Sequence, residues 1–414
     1  MMRVALYGNV CNNFYTLAKA LRDELNIDAH LYLHDKTDIQ NRPESDNPEL
    51  KDNYPDWIHL SHYWNAVSFI KRWDRTFIKE LNKYDVVFLS EFGITLAPFL
   101  KAKTLFYVTG GDLTQIPFPG KYADKYKTLI KRLGWKYVGF LQRRGIRSAT
   151  KILSQPFFPF VNALEELNVN SNKVSKCYFP ILMDLDVITK NENAWNEIDA
   201  FNRSLLAPFR FIIFHPSRIM LRKTKAYVDS GQWKGNDNLF KGFALFIQKY
   251  KIKDACLAMP DRIFSVDSIK AKEIIQELGI EQNVAWLTPP NPEGFPRKEL
   301  MNYYSISDIV ADEFATGWFG SVVVEGMACS KPTFCYVDQK VMEHLYPWHP
   351  IVSVREPEAI AEKIAEFYFN PEKAKEHGEL SRKWANEFHS VKEGTRIYID
   401  NFKRDLQDIF KQKS

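Results

Sequence analysis

Residues 3–33, RVALYGNVCNNFYTLAKALRDELNIDAHLYL, decide the fold class. Arg3–Tyr7 is a short β-prone run, and Gly8-Asn9 breaks it. From Phe14 to Leu25 the apolar residues Leu17, Ala18, Leu21 and Leu25 recur at helical spacing, and Ala29–Leu33 is a second β-rich run. Strand, tight turn, helix and strand open a parallel sheet, because parallel neighbours need a crossover and a helix supplies it. The turn at Gly8–Asn13 lacks the GxGxxG spacing, which argues against NAD or FAD. Its polar side chains can face a ligand, or Asn12 or Asn13 can cap the helix.

Outward from this unit, 85–89 and 103–108 read as buried strands, each closed by a glycine turn (Gly93; Gly110-Gly111). A second strand-helix series runs through 209–214, 255–259, 284–287, 309–311 and 333–336, with helical patterns at 238–250 and 359–367. The stretch between them loses this alternation. The expected fold is α/β, two Rossmann-like doubly wound domains: 1–187, a linker at 188–207, 208–390, and an amphipathic C-terminal helix at 391–414 that packs back on the first domain.

Composition supports packed cores. Of 414 residues 45% are hydrophobic, with 30 Phe, 19 Tyr and 10 Trp. The net charge of +5 suits an acidic small ligand or a membrane surface, and no motif supports nucleic-acid binding. Cys11, Cys177, Cys256, Cys329 and Cys335 are scattered, without metal or disulfide spacing. A strand-like N-terminus and the lack of a long apolar run predict a cytoplasmic protein, peripheral to a membrane at most.

The chemistry concentrates in the second half. Gly317-Trp318-Phe319-Gly320-Ser321 leads into a helix that carries Glu325 about one turn inside. Backbone amides and the helix dipole attract a pyrophosphate there, glycine lets it approach, and the carboxylate can take a ribose. The plain alternative is a glycine-rich turn with a solvated Glu. His215-Pro216-Ser217-Arg218 follows the strand at 209–214, and Lys234-Gly235-Asn236-Asp237 precedes the next helix. Arg offers a planar fork to phosphate and Lys a point charge.

These segments resemble the donor-domain signature of the GT-B glycosyltransferases of the glycosyltransferase group 1 family. The resemblance implies two domains facing across a cleft, and transfer of a sugar from a nucleotide-diphosphate donor to a glycan, lipid-linked or other hydroxyl acceptor, with retention and without metal or cofactor. It assigns Arg218 and Lys234 to the diphosphate and Glu325 to the ribose. The donor-contact set is then Gly8, Asn13, His215, Arg218, Lys234, Gly317, Phe319, Gly320, Ser321 and Glu325, and the catalytic set Asp112, Arg218 and Lys234. Two usual reactive positions depart from the family: Gly317 stands where a Glu contacts the sugar, with Asp312 or Glu313 as candidate substitutes, and Thr109 stands for a His. A long charged insertion also separates Arg218 from Lys234. The departures at Gly317 and Thr109 keep open a catalytically silent nucleotide-sugar sensor or assembly subunit, and the nearest enzymatic alternative is a nucleotide-sugar epimerase or hydrolase of the same fold.

In the first half, Asp112 of Thr109-Gly110-Gly111-Asp112 can accept a proton from the acceptor or cap its own turn. Asp184-Leu185-Asp186 is a DxD, but too few oxygens accompany it for a cation site. Residues 121–151 hold ten Lys/Arg against one acid, Asp124, with aromatic and aliphatic residues at helical spacing. Such a helix can lie on an anionic membrane or pack on its own domain.

Overall fold

In the computed structural model, the structure describes residues 2–405 except 35–36, 38–40, 62–63, 66–67, 69–74, 126–127, 176–178, 263–264 and 292–293. The chain forms two units, residues 1–183 with 390–414, and residues 184–389.

The first unit is built on six parallel strands: β1 (Arg3–Tyr7), β2 (Asp28–His34), β3 (Ile58–Ser61), β4 (Val86–Leu89), β5 (Lys103–Tyr107) and β6 (Lys151–Leu153). Their spatial order is β3-β2-β1-β4-β5-β6. Strand β4 is buried at all four positions, as expected of a parallel strand covered on both faces. Helix α1 (Asn13–Leu25) covers one face with Phe14, Leu17 and Leu21 against Val4, Leu31 and Phe88. Strands β3 and β6 do not stand out in the sequence, because each is short and flanked by polar residues. Basic helix α2 spans Leu129–Ser148, narrower than the 121–151 expected.

The second unit repeats the pattern with β7 (Phe211–Phe214), β8 (Ala255–Pro260), β9 (Val284–Leu287), β10 (Ile309–Ala311) and β11 (Thr333–Phe334), in the order β11-β10-β7-β8-β9. The paired strands are again parallel. Its helices include α3 (Asn236–Tyr250), α4 (Arg297–Ile306), α5 (Ser321–Ala328), α6 (Pro357–Phe369) and α7 (Pro371–His389). Phe240, Phe243 and Phe246 of α3 join Ile360, Ile364 and Phe367 of α6 in its core. Residues 188–207, expected as a linker, fold inside this unit. Asp199 caps a short helix, Ala200–Leu206, by accepting from the Asn202 amide, and the buried Asn202 side chain donates to Thr288 O and Tyr303 Oη, both at 2.9 Å. Polar residues there serve packing, which a composition shift cannot distinguish from solvation. The last helix, α8 (Val391–Asp405), returns to the first unit, with Tyr398 5.1 Å from Phe179, ring to ring. Leu406, Ile409 and Phe410 lie outside the described residues.

Helices α3 and α6 touch across Gly242, where a Cβ would lie 2.7 Å from Ile360 Cβ. A helical Gly→Ala change ordinarily gains about 0.5–1 kcal/mol. Here overpacking, about 1–3 kcal/mol, outweighs that gain, so Gly242→Ala should lower the calorimetric unfolding temperature of the second unit. A rise would contradict this packing.

Candidate functional site

In open parallel sheets, ligands bind outside the carboxyl ends of the strands, where the strand order reverses. In the second unit that point lies between β7 and β10. Strand β7 runs into His215–Arg218, and β10 into Asp312-Glu313. Ser217 donates to Asp312, and Lys234 pairs with Glu313. Phe314 N donates to Lys234 O at 2.7 Å, and Gly235, at φ 67°, sits against the Phe314 carbonyl.

Arg218 is exposed, its guanidinium 3.3 Å from Gln232 Oε1. Its charge is felt at both Lys234 and Arg262. Burial acts to lower the Lys234 pKa, but the Glu313 charge overrides it and the ammonium is held above its ordinary value. Arg262 is held low, first by desolvation and then by Arg218. Like charges that raise one another's cost in this way favour a bound anion.

His215 is 0% exposed. Its Nδ1 donates to Ala311 O and its Nε2 accepts from Asn236 Nδ2, both at 2.8 Å. Burial lowers its pKa, so the ring is neutral. Expected as a donor contact, it is a strut between β7, β10 and α3, because both ring nitrogens are spent on the protein.

The glycine loop precedes α5. Gly317 has φ 80°, a conformation a glutamate there would adopt only with strain, and its carbonyl accepts from Asp338 N at 2.9 Å. Gly320 is the N-cap of α5, and no side chain caps it, so the first-turn amides from Ser321 onward suit an anion. Phe319 is 2% exposed and stacks on Trp318 with centroids 4.7 Å apart. Only its backbone is placed for a ligand. Asp312 reaches the loop as well, its Oδ2 3.8 Å from where a Gly320 Cβ would stand.

Glu325 is 5% exposed. Tyr304 donates to its Oε2 at 2.7 Å, and Arg297 Nε lies 3.2 Å from its Oε1. Arg218, Lys234, Glu313, Asp312, Tyr304 and Glu325 form a continuous chain of bonds and charge interactions. Arg262 and Arg297 escaped the sequence analysis. Arg262 follows a predicted strand and was findable by the strand-end rule, whereas nothing local marks Arg297.

In the first unit the order reverses between β1 and β4. A cavity of about 380 Å³ opens there, lined by Tyr7 at the end of β1 with Gly8 and Asn9 after it, by Ser90–Gly93 after β4, and by His34, Thr37, Asn41, Trp64 and Ile116. Gly8, at φ 100°, touches Ser90, whose hydroxyl donates to Gly8 O at 2.6 Å. Asn9 Oδ1 accepts from Tyr15 N at 2.9 Å and so caps α1. The expected caps do otherwise: the Asn12 amide bonds to Arg42 O, Ser45 and Asp46, and Asn13 is the half-buried first residue of α1.

Asp112, 3% exposed, accepts from the amides of Glu91, Thr109 and Gly110 and from the Thr109 hydroxyl, at 2.8–3.1 Å. Burial pushes its carboxyl up while these donors pull it down. It closes its own turn and holds Glu91 N. Glu91 O accepts from Gln142 Nε2 at 3.0 Å, and Glu91 is thereby fixed at φ 50° on the cavity wall. Strain of about 1–3 kcal/mol is kept where the surroundings over-determine it, often at sites of function. Glu91 lies two residues after the predicted strand 85–89, within reach of the strand-end rule.

Among the described residues, no group of three or more His, Cys, Asp or Glu is arranged to hold a metal. Asp184 Oδ1 of the DxD accepts from the Asp186 amide at 3.2 Å. Cys256, Cys329 and Cys335 are buried free thiols, and Cys177 lies outside the described residues. No described helix is long and apolar enough to cross a membrane.

Residues 232–384 match the family model of glycosyl transferases group 1. No curated protein matches the chain significantly. Among solved structures, Anabaena HepE in complex with UDP aligns over 98% of this chain and 100% of its own, at 15% identity and a TM-score of 0.62. A Rickettsia africae glycosyltransferase covers 98% and 99% at 16% identity and TM-score 0.59. Sucrose-phosphate synthase from Thermosynechococcus elongatus covers 99% and 100% at 14% identity and TM-score 0.57. At these identities the likeness is one of fold. The chain therefore has the two-sheet GT-B fold, and the stretch of its second unit from 232 to 384 is similar to the glycosyl transferases group 1.

Burial raises the Glu313 pKa from 4.5 to about 7. A carboxyl raised on folding binds its proton more tightly in the folded state. It therefore stabilises fully below about pH 4.5 and loses that contribution as pH rises through about 7. Wild-type stability relative to Glu313→Gln should fall by up to about 3 kcal/mol between about pH 5 and pH 8, read by guanidinium unfolding. A pH-independent difference would contradict this placement.

Proposed function

We propose that the chain transfers a sugar from a nucleotide-diphosphate donor, held by the second unit, to a hydroxyl acceptor held by the first. The observation that carries this reading is the convergence of Arg218 and Lys234 with the uncapped, glycine-opened end of α5 at one reversal of strand order. Negative charge grows on the departing diphosphate, and preorganised cations and amides stabilise it at the least reorganisation cost. Two cations and a helix end can supply what a divalent ion supplies elsewhere, so the reaction is read as metal-independent. Retention of anomeric configuration is carried over from the family.

Glu325 would take the ribose hydroxyls, with Arg297 and Tyr304 fixing its carboxylate. His215 and Glu313 are positioning residues: one braces the strand ends, and the other holds the Lys234 ammonium until phosphate competes for it. Asp112 likewise positions Glu91, and Glu91 replaces it as the carboxylate facing the acceptor. Phe92 beside it is half-buried on the cavity wall and offers an apolar surface to a sugar ring, which suits a glycan acceptor in glycan biosynthesis.

Anabaena HepE is seen with UDP and with UDP-glucose, which makes these the first ligands to test. Arg218→Ala, Lys234→Ala and Glu325→Ala should each weaken UDP binding about tenfold to a hundredfold by calorimetry, the range of a charged hydrogen bond. Unchanged affinity in all three would remove the assignment. Slow UDP-glucose hydrolysis without acceptor is expected of a transferase, whereas binding without any turnover would point to a sensor.

Glu91→Gln should leave UDP affinity unchanged and lower acceptor kcat/KM about tenfold or more. An unaltered acceptor kcat/KM would exclude Glu91 from that site.

A further inference from the structure

Helix α2 has two unlike halves. The second is packed to contact: a Cβ on Gly145 would lie 2.3 Å from Ile94 O, one on Gly139 would lie 2.6 Å from Pro119 Cδ, and Leu141, Gln142 and Ile146 are buried. The first half, residues 129–136, is exposed at every position. Leu129 is 70% exposed, Ile130 83%, Leu133 58% and, further along, Phe140 52%. At about 100° per residue these four side chains share one arc roughly 100° wide. An amphipathic surface helix normally turns such a stripe to its own core, and this one turns it to solvent.

The charges complete the pattern. Lys131, Arg132, Lys136, Arg143, Arg144 and Arg147 all lie on α2, which has no acidic residue, although the whole chain is only +5. Arg143 bonds to Pro117 O, Arg147 to Leu167 O at 3.2 Å, and Arg144 lies 5.3 Å from the centre of the Phe99 ring. These three brace the helix to the fold. Lys131, Arg132 and Lys136 are exposed on the projecting half, and helical geometry sets Arg132 and Lys136 along one edge of the apolar stripe.

We propose that the projecting half of α2 is a docking surface for an anionic lipid membrane. The apolar stripe enters the boundary between headgroups and acyl chains while the flanking cations meet lipid phosphates. A nucleic acid would reward the cations but leave four apolar side chains against its charged backbone. A second copy of the chain would set this cationic helix against its own like charge. A membrane satisfies both features with one surface. With one short stripe and three cations, the binding is reversible. This inference is independent of the sugar-transfer reading.

The test is flotation of the full chain with phosphatidylcholine vesicles, with or without about 30% phosphatidylglycerol, whose negative surface potential supplies the attraction. Binding is expected only with the anionic lipid and should fall as salt rises from about 0.1 M to 0.5 M. The triple change Lys131→Gln, Arg132→Gln and Lys136→Gln should weaken it on the order of a hundredfold, about fivefold per cation. The triple change Leu129→Ser, Ile130→Ser and Leu133→Ser should abolish insertion, while both variants keep the wild-type unfolding temperature and UDP affinity. Equal binding to neutral vesicles, no binding at all, or wild-type binding by either variant would overturn the proposal. So would a wild-type dimer that the serine variant dissolves, or capture by an acidic protein without lipid binding.

Discussion

Both halves of this molecule depend on one constraint, the reversal of strand order inside a parallel sheet. Where β1 meets β4, and again where β7 meets β10, the chain leaves neighbouring strands in diverging directions. The carboxyl ends there are not roofed by a crossover helix, and loops fill the space. Gly8–Asn9 and Ser90–Gly93 occupy one such place, and His215–Arg218 and Asp312-Glu313 the other. The candidate chemistry therefore follows from connectivity before any side chain is considered.

Charge balance in the second unit follows from that placement. Cations gathered near one another repel, and the protein answers with buried carboxylates. Glu313 takes Lys234, Asp312 takes the Ser217 hydroxyl, and Glu325 is held between Arg297 and Tyr304. The burial that makes these pairs effective also raises Glu313 toward neutrality. In the first unit Asp112 spends its carboxylate on four donors so that Glu91 can hold a conformation it would not choose alone.

The insertion between Arg218 and Lys234 belongs to the same frame. Tyr227 and Trp233 are each 4% exposed, Arg222 lies 5.2 Å from the centre of the Tyr227 ring, and Lys223 lies 4.1 Å from that of Trp233. Cation–π contacts of this kind help hold a charged segment against the fold. The insertion is a packed buttress next to the cations, and Gln232 from it bonds to Arg218.

The sequence by itself determined the sheet type, two strand-helix series and the glycine-opened helix, and it singled out Arg218, Lys234 and Glu325 as candidates before any of their contacts were known. Those signals are local: periodicity, turn residues and strand ends are set by neighbours along the chain. Tertiary structure alone decided that His215 is a strut, that Asn9 rather than Asn12 caps α1, and that 188–207 belongs to the second unit. It also brought in Arg297 and Tyr304 beside Glu325, and turned the apolar stripe of α2 outward. Each of these depends on a partner distant in sequence, because burial is conferred by whatever packs against a residue, and composition carries no record of that partner.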